Sequence, residues 1–173
     1  ELGEFVEILP PQKRVGENWY LGTADAVYQN LYSIEREQPR WVIVLAGDHI
    51  YKMDYGKMLD VHIARGASLT VAAIEVPVHE SRRFGVLEVD AEQRILGFEE
   101  KPERPKPLPA NPDLCLASMG IYVFRPEALY ELLEEDAKDS ARRRILAVAS
   151  GCAQAVDLIH EDEGRRGLRG RLV

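Results

Sequence analysis

Apolar residues recur along the chain in two rhythms. Between Thr23 and Arg36, Ala24, Val27, Leu31 and Ile34 fall three, four and three positions apart, a helical stripe. Thr23 is placed to cap that helix, and Asp25 sits in its first turn, where the helix dipole favours an acid. Trp41 to Ala46 is a continuous apolar run of strand length, the pattern of a strand covered on both faces in a parallel sheet, and it stops abruptly at Gly47-Asp48-His49. Tyr55 to Arg65 brings Met58, Leu59, His62 and Ile63 to one helical face, with Gly66 placed to end it, and Leu69 to Val76 is a strand rich in β-branched residues. Strand, helix and strand in succession imply a right-handed crossover and a parallel pair, so the fold class is α/β.

Further along, Gly85 to Val89 and Ile95 to Phe98 flank the polar turn Asp90 to Arg94, which predicts two short strands. Prolines at 102, 105, 107, 109 and 112 keep 102–113 out of any central strand and make it a surface excursion. Ala117 to Phe124 is the next strand. Pro126 opens a helix that turns Leu129, Leu132 and Leu133 inward. Residues 141–173 differ in composition: they hold seven Arg but no Lys, Pro, Phe, Tyr or Trp. The chain therefore divides into 1–140, which holds all the elements above, and 141–173, an atypical Arg-rich tail that is either a basic appendage or a frameshifted or artificial end. The start at Glu1, without Met and with Phe5 to Leu9 already alternating, reads as an excerpt whose sheet is completed by strands outside it.

With 173 residues there is enough chain for one sizeable core, and a net charge of −7 argues against a nucleic-acid surface, which needs concentrated Lys and Arg. A small anionic substrate needs only a few local cations. Cys115 and Cys152 are too few for a disulfide framework. No stretch approaches the roughly 20 apolar residues of a membrane span and no signal peptide is visible, so a soluble cytoplasmic protein is expected, without membrane partners.

Several residues are placed to carry chemistry. Asp48 follows the buried strand at its carboxyl end, where open α/β sheets put their ligand crevice; a carboxylate there suits Mg²⁺, or else caps the next turn. Gly22, Thr23 and Asp25 lie at a helix start able to present N–H groups to a ligand, an arrangement that is equally a plain capped entry. Lys101, at the end of a strand beside Glu100, offers a point charge to a phosphate while Glu100 can accept from hydroxyls, although charges at strand ends are usually just solvated. Ser118 on its apolar strand suits a sugar contact or a small core position. There is no nucleophile–base triad, Cys/His cluster or Walker motif.

Together the segments Asn18-Trp19-Tyr20-Leu21-Gly22-Thr23-Ala24-Asp25-Ala26, Leu45-Ala46-Gly47-Asp48, Phe84-Gly85-Val86, Phe98-Glu99-Glu100-Lys101-Pro102 and Ala117-Ser118-Met119-Gly120-Ile121-Tyr122 resemble, in order and spacing, the ADP-glucose pyrophosphorylases, or glucose-1-phosphate adenylyltransferases. The resemblance covers roughly residues 1–139. It implies a Rossmann-like nucleotidyltransferase domain with a mixed sheet flanked by helices, incomplete here, and the reaction of ATP with glucose 1-phosphate to ADP-glucose and pyrophosphate in glycogen and starch synthesis. By the same resemblance, Asp48 would hold the catalytic Mg²⁺ and Lys101 would join it in catalysis. Tyr20, Gly85, Glu100, Lys101 and Ser118 would surround glucose 1-phosphate. Gly22, Thr23 and Asp25 would border the nucleotide. The complete family member is expected to be an allosterically regulated cytoplasmic homotetramer.

The same resemblance expects a Gly-rich triphosphate loop before Glu1, and a second metal-binding Asp and a left-handed β-helix after the C-terminus, so that this chain would be an inactive fragment. Two other readings stay open at this point: a sugar-1-phosphate nucleotidyltransferase using UTP or dTTP, and a non-catalytic homologue that binds sugar phosphate or serves as a regulatory subunit.

Overall fold

The longest apolar strand organises the structure, a computed structural model that describes residues 6, 8–9, 20, 22–47, 53–138 and 156–160, the backbone alone for 135–138 and 156–160. In chain order the elements are helices α1 (Thr23–Gln29) and α2 (Leu31–Glu37), strand β1 (Val42–Val44), helix α3 (Tyr55–Arg65) and strand β2 (Leu69–Pro77). A 3-10 turn (Val78–Arg83) leads to strands β3 (Gly85–Val89), β4 (Ile95–Glu100) and β5 (Leu114–Phe124), then helix α4 (Pro126–Lys138) and strand β6 (Val156–His160).

Both edges of β5 are occupied. One pairs antiparallel with β2 along most of its length; the other takes β1 at Tyr122 to Phe124 and β3 at Leu116 and Ala117. β4 extends the sheet from β3 and β6 pairs parallel with β2, giving the order β4-β3-β5-β2-β6.

This corrects the expected parallel pair. β1 and β2 run the same way, since each is antiparallel to β5, but β5 lies between them and they are not neighbours. An apolar run encodes burial and not the identity of its partner. The first strand is also shorter than its apolar run and covered less than expected: Ile43 is 39% and Leu45 46% exposed.

The sheet has a helical layer on each face, because side chains alternate along each strand. On one face Leu69, Val71 and Ala73 of β2, Leu87 of β3 and Leu116 and Phe124 of β5 pack against Ala24 of α1 and Leu129, Leu132 and Leu133 of α4. On the other, Ala72, Ile121 and Val123 pack under Met58 of α3. Asp54 starts α3 by accepting from the N–H groups of Gly56 (3.0 Å) and Lys57 (3.4 Å), and Gly66 ends it in the left-handed region at φ 62°, as its position predicted. Met58 and His62 face inward, but Ile63 is 49% exposed, so the buried stripe is narrower than expected.

The expected helix 23–36 is two helices broken at Asn30. Thr23 is its first helical residue and not its cap; Gly22 occupies the cap position, with no side-chain hydrogen bond. The predicted hairpin at 85–98, the Pro-rich excursion and the Pro126 helix are all present. Cys115 is buried as a free thiol. No helix among the described residues is long and apolar enough to cross a membrane.

Candidate active site

Strand register brings three of the expected site residues into one row. Gly85 of β3 pairs with Glu100 of β4, and the β3–β5 ladder that sets Val86 opposite Ala117 and Leu87 opposite Leu116 puts Gly85 opposite Ser118 at its next step. Residues opposite one another on adjacent strands share a face, so Glu100, Gly85 and Ser118 lie side by side on the face that carries α1 and α4. Ser118 lies within β5 rather than at its start, half-buried.

Local backbone geometry shapes each position. Between Ser118 and Tyr122 the β2–β5 register shifts, β5 spending more residues than β2, and Gly120 in that bulge has φ 72°. Bulges of this kind re-aim side chains and need a residue free to adopt positive φ. The Gly120 N–H donates to Ser118 Oγ at 3.3 Å. Tyr122 and Ser118 share that face, and the bulge shortens their separation to two β2 positions, Val71 and Ala73. Burial pushes the Tyr122 phenol up; the Ser118 hydroxyl opposes that and the nearby Glu100 carboxylate adds to it.

A Cβ on Gly85 would lie 2.4 Å from the Phe98 ring and 3.1 Å from Glu100 Oε2, so glycine lets both side chains lie across the backbone. Lys101, just past β4, has φ 50°, costly for a residue with a side chain by about 1 kcal/mol. Its N–H holds the turn by donating to the Phe84 carbonyl at 2.9 Å. Its ammonium is exposed and 3.9 Å from Glu100 Oε1, so a cation and a carboxylate stand together at the end of the row.

Tyr20 lies by the break between α1 and α2, its hydroxyl accepting from Asn30 Nδ2 at 3.0 Å. Asp25 accepts from Gln29 Nε2 at 2.9 Å. Gly22 and Thr23 are exposed at the α1 start. Asp48, with its neighbour His49, lies outside the described residues. A cleft of about 740 Å³ opens elsewhere, between the 3-10 turn and the Pro-rich excursion, lined by His79, Arg82, Glu103 and Asp113; it contains none of the row residues.

The row is thus built by a Phe-Gly-Val strand start, a Glu-Lys-Pro strand end and an Ala-Ser-Met-Gly bulge, and all of these segments fall within residues 1–162, which match the family profile described as nucleotidyl transferase. The chain belongs to the nucleotidyl transferase family. Among curated proteins, this nucleotidyl transferase chain is 56% identical over 137 residues to the glucose-1-phosphate adenylyltransferase of Rhodopirellula baltica, which covers 79% of the chain and 31% of that protein. It is 57% identical over 145 residues to the protein of the same name from Shewanella sp. strain W3-18-1, covering 83% and 34%, and 56% identical over 137 residues to that of Paramagnetospirillum magneticum, covering 79% and 32%. The chain spans about a third of the length of these relatives.

Tyr122, near Ser118, and Asn30, bonded to Tyr20, adjoin expected site residues, and nothing in the chain sets either apart by itself. Tyr122 is one aromatic residue in an apolar strand, and its meeting with Ser118 depends on the bulge. Asn30 sits inside a continuous helical stripe.

Proposed function

We propose that this chain forms part of a glucose-1-phosphate adenylyltransferase, which moves the adenylyl group of ATP onto glucose 1-phosphate, giving ADP-glucose and pyrophosphate. The observation that carries the reading is the row Glu100–Gly85–Ser118 ending at the exposed Lys101 ammonium, in a chain more than half identical to proteins of that name. A cation beside hydroxyls and a carboxylate suits a phosphorylated sugar: Lys101 takes the phosphate as a point charge, and Glu100 and Ser118 bond the sugar hydroxyls. Gly85 keeps the floor of that site low, and Tyr20 closes it from the α1–α2 side. Gly22, Thr23 and Asp25 border the nucleotide.

In the reaction a phosphate oxygen of glucose 1-phosphate bonds to the α-phosphorus of ATP as the bond from that phosphorus to the oxygen bridging it to the β-phosphate breaks, and pyrophosphate leaves. No covalent enzyme intermediate is required; the residues act by orientation and charge. Lys101 holds the attacking phosphate in line and offsets part of its charge. Asp48 would hold Mg²⁺, which takes one or two protein carboxylates and completes its shell with water and phosphates, and which when bound would offset charge on the leaving pyrophosphate.

The division into 1–140 as the catalytic part and 141–173 as a compositionally separate tail belongs to the same reading, as do a cytoplasmic homotetramer and small-molecule partners, ATP and glucose 1-phosphate, in place of nucleic acid or membrane. The net charge of −7 supports the exclusion of nucleic acid.

The deciding experiment is pyrophosphate exchange with ATP, glucose 1-phosphate and Mg²⁺, run on this chain beside one extended at both ends. Exchange in the extended chain supports the assignment. Exchange with UTP or dTTP in place of ATP transfers it to another sugar-1-phosphate nucleotidyltransferase. Absence of exchange in both chains, each shown to be folded, leaves a non-catalytic homologue.

A further inference from the structure

Asn30 occupies the one-residue break between α1 and α2, where its backbone carbonyl accepts from Ser33 N–H at 3.0 Å and begins the second helix. An Asn at such a position usually turns its side-chain oxygen onto the first free N–H groups of the helix it starts. Asn30 does not: α2 has no side-chain cap bond. Its amide points backward and donates from Nδ2 to the Ala26 carbonyl at 2.8 Å and to Tyr20 Oη at 3.0 Å.

The first of these contacts fixes which end of the amide is nitrogen. A backbone carbonyl only accepts, so the group facing Ala26 must be the NH₂. One of its two hydrogens goes to Ala26, and the other goes to Tyr20. The phenol of Tyr20 is thereby made an acceptor towards Asn30, and its single hydrogen must be donated in another direction. Tyr20 is half-buried, so its side chain is not sealed inside the core.

We propose that Asn30 is a positioning residue that holds the Tyr20 hydroxyl as a hydrogen-bond donor to glucose 1-phosphate. The inference rests on the reading of Tyr20 as part of the sugar-phosphate site. A donor of fixed direction favours an anionic phosphate oxygen, which accepts and cannot donate, over a ligand group that would need an acceptor at that point.

The test is steady-state pyrophosphate exchange in the extended chain, with the KM for glucose 1-phosphate, the KM for ATP and kcat measured separately. Asn30→Asp preserves shape but replaces both donors with acceptors, so the carboxylate would take the Tyr20 hydrogen for itself. The expected result is a rise of about tenfold in the KM for glucose 1-phosphate, with kcat and the KM for ATP within about twofold of the parent. Tyr20→Phe should give a similar rise, and adding Asn30→Asp to it should raise the KM no further, because the two act through one hydrogen. Asn30→Ala, which removes the donors without adding charge, serves if the Asp variant does not fold, and should show the same selectivity and non-additivity.

A rise with Tyr20→Phe but none with either Asn30 variant would overturn the positioning role and leave the Tyr20 site intact. An Asn30 effect that persists undiminished in the Tyr20→Phe background, or that falls equally on both substrates, would assign Asn30 to the helix break alone. No effect of Tyr20→Phe would remove Tyr20 from the site, and the inference with it.

Discussion

The two faces of the sheet use polar residues in opposite ways. On the face carrying α1 and α4, Ser118, Tyr122, Glu100 and Lys101 are only half-buried or exposed, and Lys101 adopts an unfavourable backbone angle. On the α3 face, His62 and Thr70 are wholly buried and bonded to each other, Nδ1 to Oγ1 at 2.8 Å, with the Trp41 ring edge-on to His62 at 5.0 Å. The first group keeps hydrogen-bonding capacity and solvent access; the second is turned inward to fix α3 on β2. Residue type alone would have marked His62 as readily as Lys101. What separates them is whether a ligand could reach the group.

The sharpest way to break the comparison is to remove one polar residue from each face. Lys101→Ala is expected to raise the KM for glucose 1-phosphate by about 100-fold, as loss of a charge-assisted phosphate bond should, while the KM for ATP stays near its parent value. Equal losses for both substrates would end the assignment of its charge to the sugar phosphate. His62→Ala should do the reverse: about 3 kcal/mol less stability in urea unfolding, from the cavity and the unpaired Thr70 hydroxyl, with the KM for glucose 1-phosphate unaltered in the folded fraction.

Acid gives a smaller version of the same test. Burial, helped by the neighbouring Arg125 guanidinium, lowers the His62 pKa from 6.5 to about 4. Between those values the unfolded chain binds a proton that the folded chain refuses, so stability falls as pH drops through the window and is unaffected by this group above it. About 2 kcal/mol should be lost by pH 5 relative to pH 7.5, and His62→Gln should flatten that slope in denaturant titrations. Gly85→Ala is the mildest probe: displacing the Phe98 ring should cost about 1 kcal/mol and move Glu100, read as a small drop in the thermal midpoint with a modest rise in the KM for glucose 1-phosphate.

Much of this was legible in the chain because local chemistry dictated it. The Gly66 end of α3, the polar turn of the 85–98 hairpin, the prolines of 102–113 and Pro126 at the start of α4 each follow from what one or two residues can do with their backbone. The neighbours of β1 were not legible, since Trp41 to Ala46 is compatible with any partner that covers it. The break at Asn30 hides inside an uninterrupted apolar stripe, and the 3-10 turn at Val78–Arg83 has no periodicity long enough to show. In the site, Glu100, Lys101, Gly85 and Ser118 could be named from motif segments, and their alignment in a row emerged only from strand register. Tyr122 needed the Gly120 bulge, a register shift that no single position announces.

The insertion of β5 between β1 and β2 has a consequence for the newborn polypeptide. While the chain leaves the ribosome, β1, β2 and the β3–β4 hairpin are all made before the strand that joins them, and each must wait with an unpaired edge until Leu114–Phe124 emerges. Such late, long-range closure is slow and exposes sticky intermediates. Ser118 and its bulge lie in the closing strand itself, so the row of Glu100, Gly85 and Ser118 comes into being in the same event that completes the sheet, and a chain stalled before it would have neither.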